Sequence, residues 1–128
     1  MTMDYVATDA APKAIGPYSQ AVKANGLVFT SGQIALDPAS GNLVDESFEA
    51  QVHRAFRNLE AVLREAGSDF SRVLRATVYL TDLANFQTLN TIYASYFGEH
   101  KPARTTVGVA QLPKGGAVEI DLIALIEA

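Results

Sequence analysis

The chain has 128 residues, which predicts a single domain over 1–128 with room for a real core. Hydrophobic residues make up 48% and charged residues 19%, which excludes intrinsic disorder. A net charge of −4 without a basic stripe argues against nucleic acid as a partner, and the absence of cysteine excludes disulfides, cysteine zinc sites and a thiol nucleophile.

The opening segment "MTMDYVATDAAPKAIGPY" has no basic start and no long apolar run, so neither signal peptide nor membrane anchor is expected. No segment is apolar for long enough to span a bilayer. The expectation is a soluble, cytoplasmic protein with no membrane partner. A short strand is expected around Tyr5. "PYSQAVKA" and "LVFTSGQI" flank Asn25-Gly26, the dipeptide that closes a two-residue hairpin. "LDPASGNLVDES" is a loop rich in turn residues.

From Phe48 the period changes. Phe48, Val52, Ala55, Phe56, Leu59, Val62, Leu63 and Ala66 recur at three and four residues, the apolar stripe of a helix. Ser47 suits its N-cap and Gly67 its stop. Residues 73–80 alternate as a strand, with Leu74, Ala76, Val78 and Leu80 expected on one face. A second helix is expected over Phe86–Phe97, capped by Asn85 and stopped by Gly98. "PARTTVGVA" and "VEIDLIALI" then read as strands joined by "QLPKGG". The order β-β-α-β-α-β-β predicts a mixed sheet with two helices on one face.

In the last strand Val118, Ile120, Leu122, Ala124 and Ile126 share one face, and Glu119, Asp121, Ile123 and Leu125 the other. Two helices cover one face only. The second face, with Ile123, Leu125, Leu27 and Phe29, then calls for a partner, and a homo-oligomer is expected to supply it. The alternative is cover by N-terminal segments or long loops. Arg104 and Thr106 alternate with apolar positions. That is expected to put Arg104 on the same side as Glu119, both charges lining a cleft at the rim of the interface. A buried charge must be paired or bind something charged.

"GPYSQA", "SGQ", "LNTIY", "PARTTV", "LP" and "VEIDLIA" occur in that order along nearly the whole chain. Together they resemble the reactive intermediate deaminase (Rid, or YjgF) family. The resemblance implies an α+β, chorismate-mutase-like fold and a homotrimer with clefts between subunits. It implies hydrolysis of 2-imino acids such as 2-iminobutanoate and 2-iminopropanoate, and of the matching enamines, to 2-keto acids and ammonia. Members clear these products of pyridoxal-phosphate dehydratases with no cofactor and no metal. On this resemblance Arg104 grips the substrate carboxylate and Glu119 holds the attacking water. Tyr18, Ser31, Asn90 and Thr106 shape the pocket. Thr106 stands where several members carry cysteine, so a backbone carbonyl there would hold the water. The loop "GEHKPAR" is shorter than in other members, which bears on substrate range.

Each residue also has a structural reading. Arg104 could form an ion pair with Glu119, Glu99 or Asp121, and Glu119 an ion pair across an interface. Asn90 could tie its helix to a loop carbonyl, Tyr18 could be a core aromatic, and Ser31 a simple sheet hydroxyl. His53 falls among exposed helix positions and His100 in a loop, so neither suits a serine nucleophile or a metal. Besides the deaminase, the same residues suit a non-catalytic sensor of keto acids or other carboxylates, or a chaperone-like trimer with vestigial clefts.

Overall fold

The computed structural model describes residues 2–126, so Met1, Glu127 and Ala128 of the expected 1–128 domain lie outside it. The elements run β1 (Asp4–Val6), β2 (Ala21–Ala24), β3 (Leu27–Thr30), α1 (Phe48–Ala66), β4 (Val73–Leu80), α2 (Phe86–Phe97), β5 (Ala103–Gly108) and β6 (Val118–Leu125). They build an α+β domain with a six-stranded sheet in the order β1-β2-β3-β6-β4-β5. Every pairing is antiparallel except β4 with β5, which α2 connects. The expected element order is observed, with the short N-terminal strand added at the β2 edge.

Local chemistry explains the elements. Asn25 and Gly26 both take positive φ, 54° and 77°, which matches the twist a two-residue hairpin needs. The Ser47 hydroxyl accepts from the Ala50 amide and caps α1. Gly67 ends it in the left-handed region at φ 89°. One stripe of α1, from Val52 to Ala66, is buried against the sheet. Phe56 stacks on Tyr96 with ring centroids 4.5 Å apart and meets Tyr93 and Phe97 edge-on, which joins the two helices.

Two expectations need correction. Leu74 does not share the face of Ala76, Val78 and Leu80; it is 44% exposed. The β4–β6 register shifts between Val73 and Arg75, so Leu74 is an extra residue and Val73 takes the buried place. Asn85 makes no capping bond to α2. A helical turn, Leu83–Asn85, leads straight into the helix, and the Asp82 carboxylate caps that turn through the Ala84 amide.

The predicted alternation of β6 holds. Val118, Ile120, Leu122 and Ala124 are buried beneath the helices. On the opposite face Phe29 pairs with Ile123 and Leu27 with Leu125, and no helix covers them. Phe29 is 43% and Leu125 41% exposed in the single chain. No helix among the described residues is long and apolar enough to cross a membrane.

Candidate functional site

The sequence-predicted residues fall into two groups. The first surrounds Glu119 in a cleft of about 380 Å³, lined by Tyr18, Ser31, Gly32, Ile34 and Pro113 among others. Hydrogen bonds hold its walls. The Ser31 amide donates to Gln20 O at 2.9 Å, and the Ser31 hydroxyl donates to Ser19 O at 2.5 Å. Gln33 and Ile120 exchange backbone bonds at 2.8 and 3.1 Å, which fixes the chain on either side of Gly32. Ser31, just past the end of β3, therefore clamps the "GPYS" turn to the "SGQ" segment, a tie that the reading of a simple sheet hydroxyl did not include.

Three buried amides carry the rest of the cleft, and the sequence pointed to none of them. Gln20 is 5% exposed; its side chain accepts from Thr8 N at 2.7 Å and donates to Thr8 O and Pro12 O at 3.0 and 2.8 Å. It holds the segment that supplies the Pro12 and Ile15 wall. Asn58 on α1 donates to Leu36 O at 2.9 Å and Ile34 O at 3.3 Å. Gln51 accepts from Ala117 N at 2.9 Å, just before β6 begins. For Gln51 and Asn58 a polar residue on the inner stripe of α1 was the available signal, because such groups must find partners; Gln20, just before β2, carried no such signal.

Tyr18 is not a core aromatic; it is 50% exposed at the cleft. The Gly16–Tyr18 turn aims it, with Tyr18 N donating to Gly16 O at 2.8 Å. Glu119 is half-buried. Burial raises its carboxyl above the ordinary range, and the nearby Asp121 charge adds to the effect. Asp121 accepts from the Tyr79 hydroxyl at 3.1 Å, and the Tyr79 hydroxyl is itself raised by burial and then by Asp121.

The second group surrounds Arg104 on β5, at the far edge of the sheet. The guanidinium lies over two aromatic faces of α2, 4.8 Å from the Tyr93 centroid and 5.5 Å from that of Phe86. Asn90 sits one turn from each on the same helix. Three buried polar atoms here lack a hydrogen-bond partner among the described residues: Asn90 Oδ1, Tyr93 OH and Thr106 Oγ1. The Asn90 NH₂ group, the donor such a tie would need, makes no hydrogen bond to a loop carbonyl among the described residues. Among the described residues the ion pair present is Arg64 with Glu60 on α1, so Arg104 is not paired with Glu119, Glu99 or Asp121. Burial raises the Tyr93 hydroxyl, and the Arg104 charge opposes it. Phe86 and Tyr93 went unrecognised as the seat of the arginine because their spacing reads equally well as core.

The expectation that Arg104 and Glu119 share a side is overturned by the register. Arg104 pairs with Ala76, and Ala76 with Leu122, both under the helices. Glu119 pairs with Tyr79 on the helix-free face. Thr105, next to Arg104, accepts from Arg75 at 2.6 Å on that same open face, which fixes the parity of β5. Within one chain the cation and the acid belong to opposite faces of the sheet. Among the described residues no cluster of three or more His, Cys, Asp or Glu could hold a metal.

Residues 8–126 match the family described as Endoribonuclease L-PSP. The chain is 47% identical over 120 residues to the 2-iminobutanoate/2-iminopropanoate deaminase of Bos taurus, covering 94% of this chain and 88% of that one. It is 47% identical over 123 residues to the chloroplastic Reactive Intermediate Deaminase A of Arabidopsis thaliana, covering 96% of this chain and 66% of that one. The crystal structure of E. coli TdcF with bound serine superposes with a TM-score of 0.91 at 38% identity, covering 97% of this chain and 99% of that one.

Proposed function

The chain belongs to the endoribonuclease L-PSP family, which includes reactive intermediate deaminases, and from that membership we propose that it hydrolyses 2-imino and 2-enamino acids to 2-keto acids and ammonia. The observation that carries this reading is the pair of half-sites. One holds a cation seated on aromatic faces without a carboxylate partner. The other holds a half-buried acid whose carboxyl is raised. A cation alone would suit a carboxylate sensor; the acid adds the means to move a proton. The serine bound to the E. coli TdcF relative is a small α-amino acid, and its carboxylate is the kind of group Arg104 would bind.

Arg104 binds the substrate carboxylate through two parallel hydrogen bonds, which also orients the C=N bond. Glu119 takes a proton from water as the water oxygen bonds to the carbon of the protonated imine and the C=N electron pair moves to nitrogen, which gives a carbinolamine with a neutral amino group. Glu119 hands that proton to the amino nitrogen and is ionised again. The C–N bond then breaks, its electron pair leaving with ammonia, as Glu119 takes the hydroxyl proton and the C=O bond forms. Glu119 passes this second proton to the departing ammonia, so that the keto acid and ammonium result. Burial of Glu119 favours this cycle, because a carboxyl raised towards neutrality both accepts and returns a proton readily. Asn90, Thr106, Tyr18 and Ser31 surround the substrate in this reading.

Since the two groups lie on opposite faces, the working site takes Arg104 from one subunit and Glu119 from its neighbour. A homotrimer in which the β5 edge of one subunit, carrying Arg104, meets the helix-free face of the next, carrying Glu119, would supply that geometry and cover Phe29, Ile123 and Leu125. The reaction is assigned to the cytoplasm, where pyridoxal-phosphate dehydratases would supply the imine. The endoribonuclease in the family's description is a weaker reading here, given a net charge of −4.

A coupled assay tests the proposal. A threonine dehydratase generates 2-iminobutanoate in amine-free buffer, and keto-acid formation is followed with and without the protein. Acceleration is expected. No acceleration with either threonine or serine as the source would leave the carboxylate sensor as the better account.

A further inference from the structure

Gly32 owes its identity to space, not to backbone conformation. It is absent from the positive-φ glycines, so any residue could adopt its backbone angles. Yet a Cβ built there would lie 2.8 Å from Glu119 Cδ and 3.0 Å from Cγ, and closer still to Oε2. Real Cβ atoms essentially never approach so near, so something must move. The backbone has little freedom to do so. Ser31 is bonded to Gln20 and Ser19 on one side, and Gln33 to Ile120 on the other. The carboxylate is the free end of a flexible side chain, so it is the part that gives way.

We propose that Gly32 is a positioning residue: the space left by its missing side chain seats the Glu119 carboxylate in the cleft. The physical cause is steric. Glu119 stands on β6, and a side chain at position 32 would exclude the rotamer it adopts and force it into another. The clamped glycine leaves one place where the carboxylate can lie against backbone, partly shielded from water. That shielding is the same burial that raises its carboxyl. The kinetic consequences rest on the deaminase reading; the seat itself does not.

The test is a cycle of Gly32→Ala with Glu119→Ala and Glu119→Gln. Gly32→Ala is expected to keep its oligomeric state and to lose about a hundredfold in kcat, with KM within a few-fold, as for a small displacement at a reacting centre. The acid limb of its pH–rate profile should move down towards the ordinary glutamate range. In the Glu119→Gln background the same substitution should cost no further rate, because a residue that acts through Glu119 is non-additive with its loss. Titration of Glu119 by carbon-13 NMR gives a readout independent of turnover: raised in the wild type, near ordinary in Gly32→Ala. Should Gly32→Ala fold poorly, adding Glu119→Ala should restore its thermal stability by removing the clash. A wild type without deaminase activity sinks the functional reading and leaves the titration and the stability cycle to decide the seat. The seat is overturned by an unchanged titration of Glu119 in Gly32→Ala, or by a loss of rate or stability that persists when Glu119 is gone.

Discussion

Replacing Asn58 by aspartate changes one NH₂ group to an oxygen at the back of the cleft. Asn58 is fully buried, and that NH₂ donates to Leu36 O at 2.9 Å and to Ile34 O at 3.3 Å. Ile34 O keeps a second donor, the Leu36 amide at 2.9 Å, so Leu36 O is the carbonyl left stranded. In Asn58→Asp an ionised side chain would set a carboxylate against two carbonyl oxygens. Breaking a buried polar arrangement so that a charge is left uncompensated costs about 3–5 kcal/mol. The Arg54 guanidinium, now 3.1 Å from Asn58 Oδ1, would offset part of this and favours the lower end. For a domain of this length each kcal/mol lowers Tm by roughly 3–5 °C, so a fall of about 10–20 °C is expected at pH 7. The pH dependence has a definite sign. Burial lifts the folded carboxyl of the introduced aspartate above its unfolded value of about 3.9. The deficit is therefore absent below that value and develops as pH rises through the folded one. Scans of both proteins from pH 4 to pH 8 at one protomer concentration should show the two Tm values diverging with pH. A variant with the wild-type Tm at pH 7 would refute the claim that Asn58 holds the Ile34–Leu36 wall by donating to it.

Three further outcomes follow from the site. Arg104→Lys should lose about a hundredfold in kcat/KM in the coupled assay, because a point charge reproduces neither the forked contact nor the stacking on Tyr93; activity within a few-fold of wild type would reduce Arg104 to general attraction. Glu119→Gln should bind pyruvate by calorimetry about as well as wild type while hydrolysis falls roughly 10²–10⁴-fold. In the wild type, rate should be lost as pH falls through the raised carboxyl of Glu119, at higher pH than the ordinary glutamate value of 4.5, and this limb should vanish in the variant. Phe29→Asp on the helix-free face should turn a trimer into monomers by light scattering and abolish turnover together; an active monomer would remove the shared site.

The legible parts of this fold were the local ones. Asn25-Gly26, the stripe and caps of α1 and the alternation of β6 each depend on neighbours within a few residues. Leu74 was misplaced because a bulge is a property of the pairing between β4 and β6, which no single strand displays. The side of the sheet on which Arg104 lies failed for the same reason. Alternation gives parity within a strand, but parity between strands needs the register. Charge on otherwise apolar strands singled out Arg104 and Glu119, while their candidate chemistry came from the family resemblance. Their supports were not: the aromatic seat of Arg104 mimics core spacing, and the Gly32 seat is a space that exists only once two strands are side by side.

The opposite-face placement of Arg104 and Glu119 has a genetic consequence. In the proposed trimer each cleft draws its cation from one chain and its acid from the next around the ring. A chain lacking only Arg104 function and a chain lacking only Glu119 function are each inert alone. Assembled together, in either two-to-one combination, every mixed ring contains one boundary where an intact arginine meets an intact glutamate. Equal co-expression should thus recover about a quarter of the normal activity from two dead alleles, given random closure of the ring. A chain carrying both defects offers no such boundary, and would act instead as a dominant poison, disabling clefts on both of its sides.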